Sequence, residues 1–569
     1  MDDCNSDHPF EIKEEVKNKS KYMIAKQLIE PKSIVVVGGS DDIHKPGGTV
    51  LRNLQDGNFK GSLYVVNPKM DEVQGIKAYR DVKDLPEVDC AILAIAAKFC
   101  PSTVEVLAKQ KNTKAFIILS AGFHEENEEG AKLERQIVET INSVGGSLIG
   151  PNCIGVLTNH YSGVFTSPIP ELNPQGVDLI SGSGATALFI MDSGMQKGIK
   201  FNSMYSVGNS AQLGVEEILE YMDESFDPKT SSRVKLLYVE SIEKPEKLLK
   251  HASSLIRKGC RIAAVKSGGS AAGSRAASSH TGALASSDVA VEALFRKAGI
   301  VRCNGRDELM TVAGIFMHPE MKGRNMAVVT HAGGPAVMLT DALSNGGMDV
   351  PHIEGEKAQE LLTKLFAGSS VGNPIDFLAT GTAEQLGYIL DACDQDFDNI
   401  DGMAVIFGSP GLFPVFDVYR VLDEKMKTSK KPIFPIFPSS KIVKDEIAEF
   451  VSKGRVYFPD EVLFGNALCK IYKTPAPQPE HFEMPDMDVK KIREVVNNAQ
   501  NGYLSPDEIH TLLDAAGVAR AKEGVSDNEE EIVKMAKEIG FPLVMKVVGP
   551  IHKSDVGGVV LNVSDEETV

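Results

Sequence analysis

The chain has no tryptophan, no two cysteines in a CxxC spacing, and no apolar run near the roughly 18 residues needed to cross a bilayer. The last absence excludes a helical membrane span. The eight cysteines, at positions 4, 90, 100, 153, 260, 303, 393 and 469, are scattered. That pattern excludes a disulfide or zinc framework and reads as the reduced thiols of a cytoplasmic protein. Positive charge is in deficit: 60 Lys and Arg stand against 78 Asp and Glu, a net charge of −18. Non-specific binding to nucleic acid or to an anionic membrane is disfavoured accordingly. The opening MDDCNSDHPFEIKEEVKNKS is acidic and polar, without the apolar stretch of a signal peptide. Glycine, by contrast, is plentiful at 51 residues, and hydrophobic residues make up 42%, enough for ordinary cores joined by α/β turns. At about 150 residues per domain, the 569 residues predict three to four domains.

Short apolar runs alternate with helical patterns. SIVVVGG (33–39), SLYVVNP (62–68), CAILAIA (90–96), AFIILSA (115–121) and GSLIGPN (146–152) are continuous, as in strands buried on both faces of a parallel sheet. GGTVLRNLQ (47–55) and GAKLERQIVETINSV (130–144) predict helices between them, giving a doubly wound domain. The pattern restarts with GVDLISGSGATALFIMDSG (176–194), FNSMYSVG (201–208), RVKLLYVES (233–241), RIAAVKSG (261–268) and the helical SDVAVEALFRKAGIV (287–301). A third series holds NMAVVTHAGGPAVMLTDAL (325–343), GMAVIFGSP (402–410), KPIFPIFP (431–438) and RVYFPD (455–460). The Pro-rich, acidic stretch 474–488 reads as a linker. Beyond it, helices are expected at 504–518 and 528–541, and strands at 541–549 and 557–563 around PIHKSDVGG. This last segment holds too few residues to close a large core and is expected to be an incomplete domain.

The loop after the first strand, GGSDDIHKPGG, is not GxGxxG, so the dinucleotide fingerprint fails. The second strand ends VVNPK, with Lys69 where an NAD-type domain has an acid for the ribose 2′-OH. A cation suits a phosphorylated ribose, as in NADP or coenzyme A; an ordinary surface lysine is the alternative. Gly38, Gly39 and Ser40 stand where backbone N–H groups would face a phosphate at a helix start. Two further turns connect strand to helix through small residues: Ser181, Gly182, Ser183 and Gly184 in one, Gly333 and Gly334 in the other. Each presents free N–H groups at the positive end of a helix dipole, worth about 0.3–1 kcal/mol to an exposed anion and up to about 2 when partly buried. Neither turn contains an acid, and the pair would suit a phosphoryl group on either side of a transfer step.

Residues 267–287 read SGGSAAGSRAASSHTGALASS, with a lone imidazole, His280, among tiny side chains. Composition alone fits a flexible linker. The stretch lies inside one domain, however, and is read as a pliant loop carrying a nucleophile. A neutral imidazole attacks phosphorus well and leaves well, provided its other nitrogen is fixed by a carboxylate or carbonyl. Glu240 closes the strand LLYVES, where α/β enzymes gather functional side chains. It is the expected orienter, with a plain surface acid as the alternative.

In GGSDD…GG (38–48), NPK (67–69), GPNCIGV (150–156), SGSGA (181–185), YVES (238–241), SSHTGALA (278–285), HAGGPAV (331–337), NPID (373–376) and MKVVGPIHKSDVGGV (545–559) the chain resembles the NDP-forming acyl-CoA synthetases, relatives of succinyl-CoA synthetase. The resemblance covers essentially the whole chain. It implies a polar tail (1–20), a Rossmann-like CoA-binding domain (21–155), two flavodoxin-like ligase domains (156–318 and 319–473), the linker and a partial α+β ATP-grasp domain (489–569). It implies an acid–CoA ligase: acyl-CoA and phosphate give acyl phosphate and CoA, the acyl phosphate phosphorylates His280, and the phosphohistidine passes its group to ADP with Mg2+. By the same match Glu240 orients His280, while the backbone at Ser183, Gly184, Gly333 and Gly334 holds the phosphoryl group. Gly39, Ser40, Pro68 and Lys69 lie along CoA. Lys546 takes the nucleotide-phosphate position, and His552 matches a second phosphoryl carrier, with an ordinary loop histidine as the alternative. Metal ligands are expected beyond Val569, so the chain by itself is expected to bind nucleotide poorly. The partners implied are a small carboxylic acid, its CoA thioester, phosphate and ADP/ATP, with homo-oligomerisation open. Two other readings stand beside this one: a CoA-binding protein without turnover, and, on fold alone, an NADP-dependent oxidoreductase.

Overall fold

The computed structural model describes residues 24–57, 59–281, 287–409, 414–479, 485–500, 502–548 and 557–569, with residues 277–281 described by their backbone alone. The expected polar tail and His552 lie outside the described residues. The chain divides into two units, Met1–Gln478 and Pro479–Val569.

The first unit holds three sheets. In spatial order the first runs Glu72–Val73, Ile76–Tyr79, Ser62–Val66, Ser33–Val37, Cys90–Leu93, Ala115–Ile118, Ser147–Ile149. All its pairings are parallel except that of the short outermost strand. The run SIVVV shows why continuous apolar residues mean a doubly covered sheet. Ile34 and Val36 face one core with Val50, Leu51 and Leu54 of helix Pro46–Asp56. Val35 and Val37 face another, with Val104 and Leu107 of helix Cys100–Gln110 and Ile137 and Ile141 of helix Glu128–Ser143. The last helix starts where Asn127 accepts a hydrogen bond from the Gly130 N–H at 2.9 Å, with Glu128 and Glu129 in its first turn.

The second sheet runs Val301–Cys303, Arg261–Lys266, Val234–Val239, Leu172–Ser181, Phe201–Ser206, Gly155–Leu157, Ser162–Val164. Its first five strands are parallel; the last two add an antiparallel edge. One apolar cluster includes Ile34 and Ile92 of the first sheet together with Ile180, Leu237 and Ile262 of the second, so these domains share a core. Asn53 ties them further, its Nδ2 donating to the carbonyls of Val164 and Thr166 at 2.6 and 2.8 Å. The third sheet, Ile375–Asp376, Met326–Thr330, Gly402–Ile406, Ile433–Ile436, is wholly parallel. It is joined to the second through a cluster that includes Leu179, Met310, Val328 and Phe434.

Two elements differ from expectation. Residues 271–281, read as part of a pliant loop, form the helix Ala271–Thr281, and His280 falls in its last turn. Alanine has the highest helix propensity of any residue, and AAGSRAASS supplies four alanines and no β-branched side chain. The expected strand RVYFPD reduces to one bridge, Ile436 with Phe458. There Phe437 N–H donates to Phe458 O at 2.8 Å and Phe458 N–H to Pro435 O at 2.9 Å. Extending the ladder towards Val456 would need an N–H on residue 435, which proline lacks.

The second unit packs helices Val489–Asn498, Pro506–Ala515 and Glu529–Ile539 with an antiparallel pair, Leu543–Lys546 and Val559–Val563. Ser505 and Glu508 form a reciprocal cap at the second helix, with N–H to side-chain distances of 2.7 and 3.3 Å. Among the described residues its buried apolar side chains are Ala515, Ala536 and Val563.

Candidate active site between the first two domains

The strand Leu172–Ser181 delivers its last residue, wholly buried, to the base of a tight turn. Ser181 Oγ donates to the Ser183 carbonyl at 2.7 Å and accepts from the Ser183 N–H at 3.2 Å. Ser183 then caps helix Gly184–Gln196, its Oγ accepting from the Thr186 N–H at 3.4 Å and the Thr186 hydroxyl at 3.0 Å. The Gly182 N–H is also engaged, donating to Tyr238 O at 2.9 Å. Two of the expected phosphate-facing amides, those of Gly182 and Ser183, are therefore spent within the fold. Among the described residues, the free ones belong to Gly184 and to Ala185, a residue the sequence reading missed. Glycine is required at 184 by close approach: a Cβ there would lie 2.5 Å from Ile154 Cγ2.

Glu240, just beyond the adjacent strand Val234–Val239, is half-buried, its Cγ 4.0 Å from where a Gly182 Cβ would stand. Gly182, Ser183, Gly184, Ala185 and Glu240 line one cavity of about 310 Å³. The first domain closes its other side with His124, Glu125, Asn152 and Cys153. None of these four was singled out from sequence. His124 Nδ1 donates to Glu134 Oε1 at 2.7 Å, its side chain 33% exposed against 12% for Glu134. That hydrogen bond raises the imidazole above its ordinary range; burial works against it, and the charges of Glu134, Glu125 and Glu243 reinforce it. Burial would lift the Glu125 carboxyl, but hydrogen bonds from Asn209 and the Gly122 and Phe123 amides outweigh it and hold the group low.

The third domain repeats the turn with different letters. Buried Thr330 donates its hydroxyl to Ala332 O at 2.8 Å and accepts from Ala332 N–H at 2.9 Å. Gly333 and Gly334 then open helix Gly333–Asn345, both exposed, with Asp376 Oδ2 3.9 Å from the position of a Gly333 Cβ. Beside them His331 stacks on Phe407 at 4.3 Å and accepts the Gly408 N–H on Nε2 at 2.9 Å. Burial keeps this ring below the ordinary range of histidine.

In the first domain, Gly38 adopts φ +88°, a conformation open to glycine, and its N–H donates to Val66 O at 3.0 Å. A Cβ on Gly39 would lie 2.2 Å from Val65 Cγ2, and one on Gly47 2.1 Å from Gly38 O. Asn67, quoted in NPK without a role, joins both loops: its Nδ2 donates to Gly39 O at 2.9 Å and its Oδ1 accepts from the Lys69 N–H at 2.9 Å. Pro68 and Lys69 are exposed and Ser40 half-buried, so these loops face outward together. In the second unit Lys546 is exposed on its strand. Among the described residues no group of three or more His, Cys, Asp or Glu comes together as a metal site.

Known proteins show the same succession of parts. Residues 32–159 match a CoA binding domain, 174–316 a succinyl-CoA ligase-like flavodoxin domain, and 495–569 an ATP-grasp domain. The acetate–CoA ligase [ADP-forming] I of Archaeoglobus fulgidus is 33% identical, over 95% of this chain and 78% of its own length. The 4-hydroxybutyrate–CoA ligase [ADP-forming] of Nitrosopumilus maritimus is 30% identical, over 95% and 78%. Among solved structures, the dinucleotide-forming acetyl-coenzyme A synthetase 1 of Ca. Korarchaeum cryptofilum, in complex with phosphate and ADP, superposes with a TM-score of 0.70 at 26% identity, over 79% of this chain and 96% of that one. With relatives this similar along nearly its whole length, and with a turn of small residues and a carboxylate lining one cavity, the chain belongs to the ADP-forming acyl-CoA ligases.

Proposed function

We propose that the chain carries out acyl-CoA phosphorolysis and histidine phosphorylation, the steps that precede transfer to ADP. Phosphate attacks the thioester carbonyl in the cavity between the first two domains, giving acyl phosphate and CoA. The acyl phosphate then phosphorylates His280, releasing the carboxylic acid, and the phosphohistidine passes its group to ADP. Glu240 orients His280, the amides of Gly184 and Ala185 hold the phosphoryl group on one side, and those of Gly333 and Gly334 hold it on the other. CoA lies along Gly39, Ser40, Pro68 and Lys69, Lys546 meets the nucleotide phosphates, and magnesium accompanies ADP. His552 is proposed as a second phosphoryl carrier. Free, buried thiols at all seven described cysteines support a reducing, cytoplasmic setting.

The observation that carries this reading is the cavity that brings Glu240 together with the only two amides its turn leaves unbonded among the described residues. Donors fixed in the backbone need no reorganisation as charge develops, which makes them effective stabilisers of a phosphoryl group. Labelled acetyl phosphate should leave acid-labile, base-stable label on the protein, and His280→Asn should abolish it. Label persisting in His280→Asn would place the nucleophile elsewhere.

A further inference from the structure

The cavity between the first two domains is unusually acidic for one that takes phosphate. Four carboxylates line it: Glu125, Glu216, Glu240 and Glu243. Glu216 is spent on the fold, its Oε1 accepting the N–H groups of Glu243 and Lys244 at 3.0 and 3.2 Å. Among the described lining residues only Lys244 and His124 can carry positive charge. Lys244 is engaged, its Nζ 2.9 Å from Glu217 Oε1. His124 is held differently. Its Nδ1 is fixed by Glu134, which also accepts from Asn209 Nδ2 at 3.3 Å, and its Nε2 has no partner among the described residues. The ring therefore has one nitrogen anchored on helix Glu128–Ser143 and the other free at the cavity wall.

We propose that His124 is a catalytic residue of the acyl-CoA half-reaction, its imidazolium donating Nε2–H to the thioester carbonyl oxygen as phosphate attacks. The inference rests on the ligase reading and assigns a group that reading did not contain. A hydrogenphosphate oxygen forms a bond to the carbonyl carbon while the free amides hold the phosphate, and the carbonyl oxygen takes up negative charge against His124. The carbon–sulfur bond then breaks, and the proton of the hydrogenphosphate ends on the CoA sulfur. His124 keeps its own proton throughout. Glu134 and Asn209 are positioning residues: Glu134 holds the ring by Nδ1 and Asn209 holds Glu134, so that the neutral ring has only a lone pair on Nε2 and the charged ring a donor. The carboxylates facing the ring are Glu134 from helix Glu128–Ser143, Glu125 from its own turn and Glu243 from the segment after strand Val234–Val239. All three favour the charged form, so activity falls as pH rises through a histidine titration displaced upwards.

The test incubates the full chain with phosphate and acetyl-, propionyl-, butyryl- or feruloyl-CoA and traps acyl phosphate as the hydroxamate from pH 6 to 9, with labelling by acetyl phosphate measured in parallel. The wild-type yield should fall on the alkaline side. His124→Phe should lower it about 100-fold at pH 6.5, the loss typical of one oxyanion donor, and abolish the alkaline limb. His124→Lys should restore part of the yield and carry it to higher pH. Glu134→Gln, which keeps the side-chain shape, should move the limb to lower pH, a shift that a merely structural role would not give. Wild-type protein that labels, with a hydroxamate yield indifferent to residue 124 or an alkaline limb intact in His124→Phe, overturns the assignment alone. Wild-type protein that neither labels nor yields hydroxamate with any of the thioesters overturns the ligase reading and this assignment with it.

Discussion

Acidification should loosen the first unit through one buried ring. His318 follows helix Arg306–Phe316, is 7% exposed, and packs 5.1 and 5.6 Å from the rings of Phe434 and Phe458. Nδ1 donates to Gly314 O at 2.8 Å, and Nε2 is buried without a partner among the described residues. Burial, opposed by the Gly314 carbonyl and reinforced by Arg455 and Arg261, pushes the ring from 6.5 down to about 4. A lowered value means that the unfolded chain binds the proton more readily, so stability is lost as pH falls below 6.5 and the loss is complete below about 4. Between pH 7 and pH 5 it comes to about 2 kcal/mol. Urea unfolding followed by far-UV circular dichroism, which suits a chain without tryptophan, measures it at the two pH values. His318→Leu removes the titration. It should be less stable at pH 7 but should lose about 2 kcal/mol less than wild type on going to pH 5, where the ordinary carboxylates stay largely ionised. Equal losses in the two proteins would refute the reasoning.

Gly47→Ala should cost about 1–3 kcal/mol by overpacking and weaken CoA binding in calorimetry, because the new Cβ would stand 2.1 Å from Gly38 O in the loop proposed to lie along CoA. Lys235→Met should destabilise the protein by about 3–5 kcal/mol in urea, since it strands Asp178, now 2.5 Å from the Lys235 ammonium with both side chains under 5% exposed. Adding Asp178→Asn should recover much of that loss. Gly333→Pro removes one backbone donor at the position where helices accept proline best, after an extended Ala332 at φ −142° and ψ 114°. Phosphoprotein formation from labelled acetyl phosphate should fall about 100-fold with melting temperature unchanged, whereas Gly333→Ala, which keeps the N–H, separates the effect of the added methyl group.

The parallel strands were legible because burial on both faces makes their signal redundant: in SIVVV every residue is apolar and each face meets its own core. The two turns of small residues were legible as places where a strand passes into a helix. Which of their amides are free was not, because that depends on Ser181 folding its hydroxyl back and on Tyr238 reaching across from the next strand. His124 was illegible for a related reason. Its partner Glu134 stands ten residues on, Asn209, which donates to Glu134, lies in the next domain, and the cavity exists only where two sheets share a core. Helix Ala271–Thr281 was hidden by composition, as the small residues that make a loop pliant also include the best helix former.

The two turns explain each other better than either explains itself. Ser183–Gly184–Ala185 and Ala332–Gly333–Gly334 share one glycine position, yet both begin from a buried hydroxyl, Ser181 or Thr330, that bonds the carbonyl and N–H of the residue two ahead. Without that hydroxyl the turn would leave a donor and an acceptor unpaired in a dry environment, at roughly 1–3 kcal/mol for each group. With it, the free positive end of the helix begins one residue later, at the same place in both domains. The rest of each cap is then built separately: Ser183 satisfies Thr186 by its side chain, while Pro335 has no N–H to satisfy. Two sequences with little in common thus expose the same pair of amides, each beside a carboxylate from a neighbouring strand, Glu240 in one domain and Asp376 in the other. On the proposed function, an anion handed between the two turns meets backbone at both, which leaves the specificity of each step to the few side chains around them.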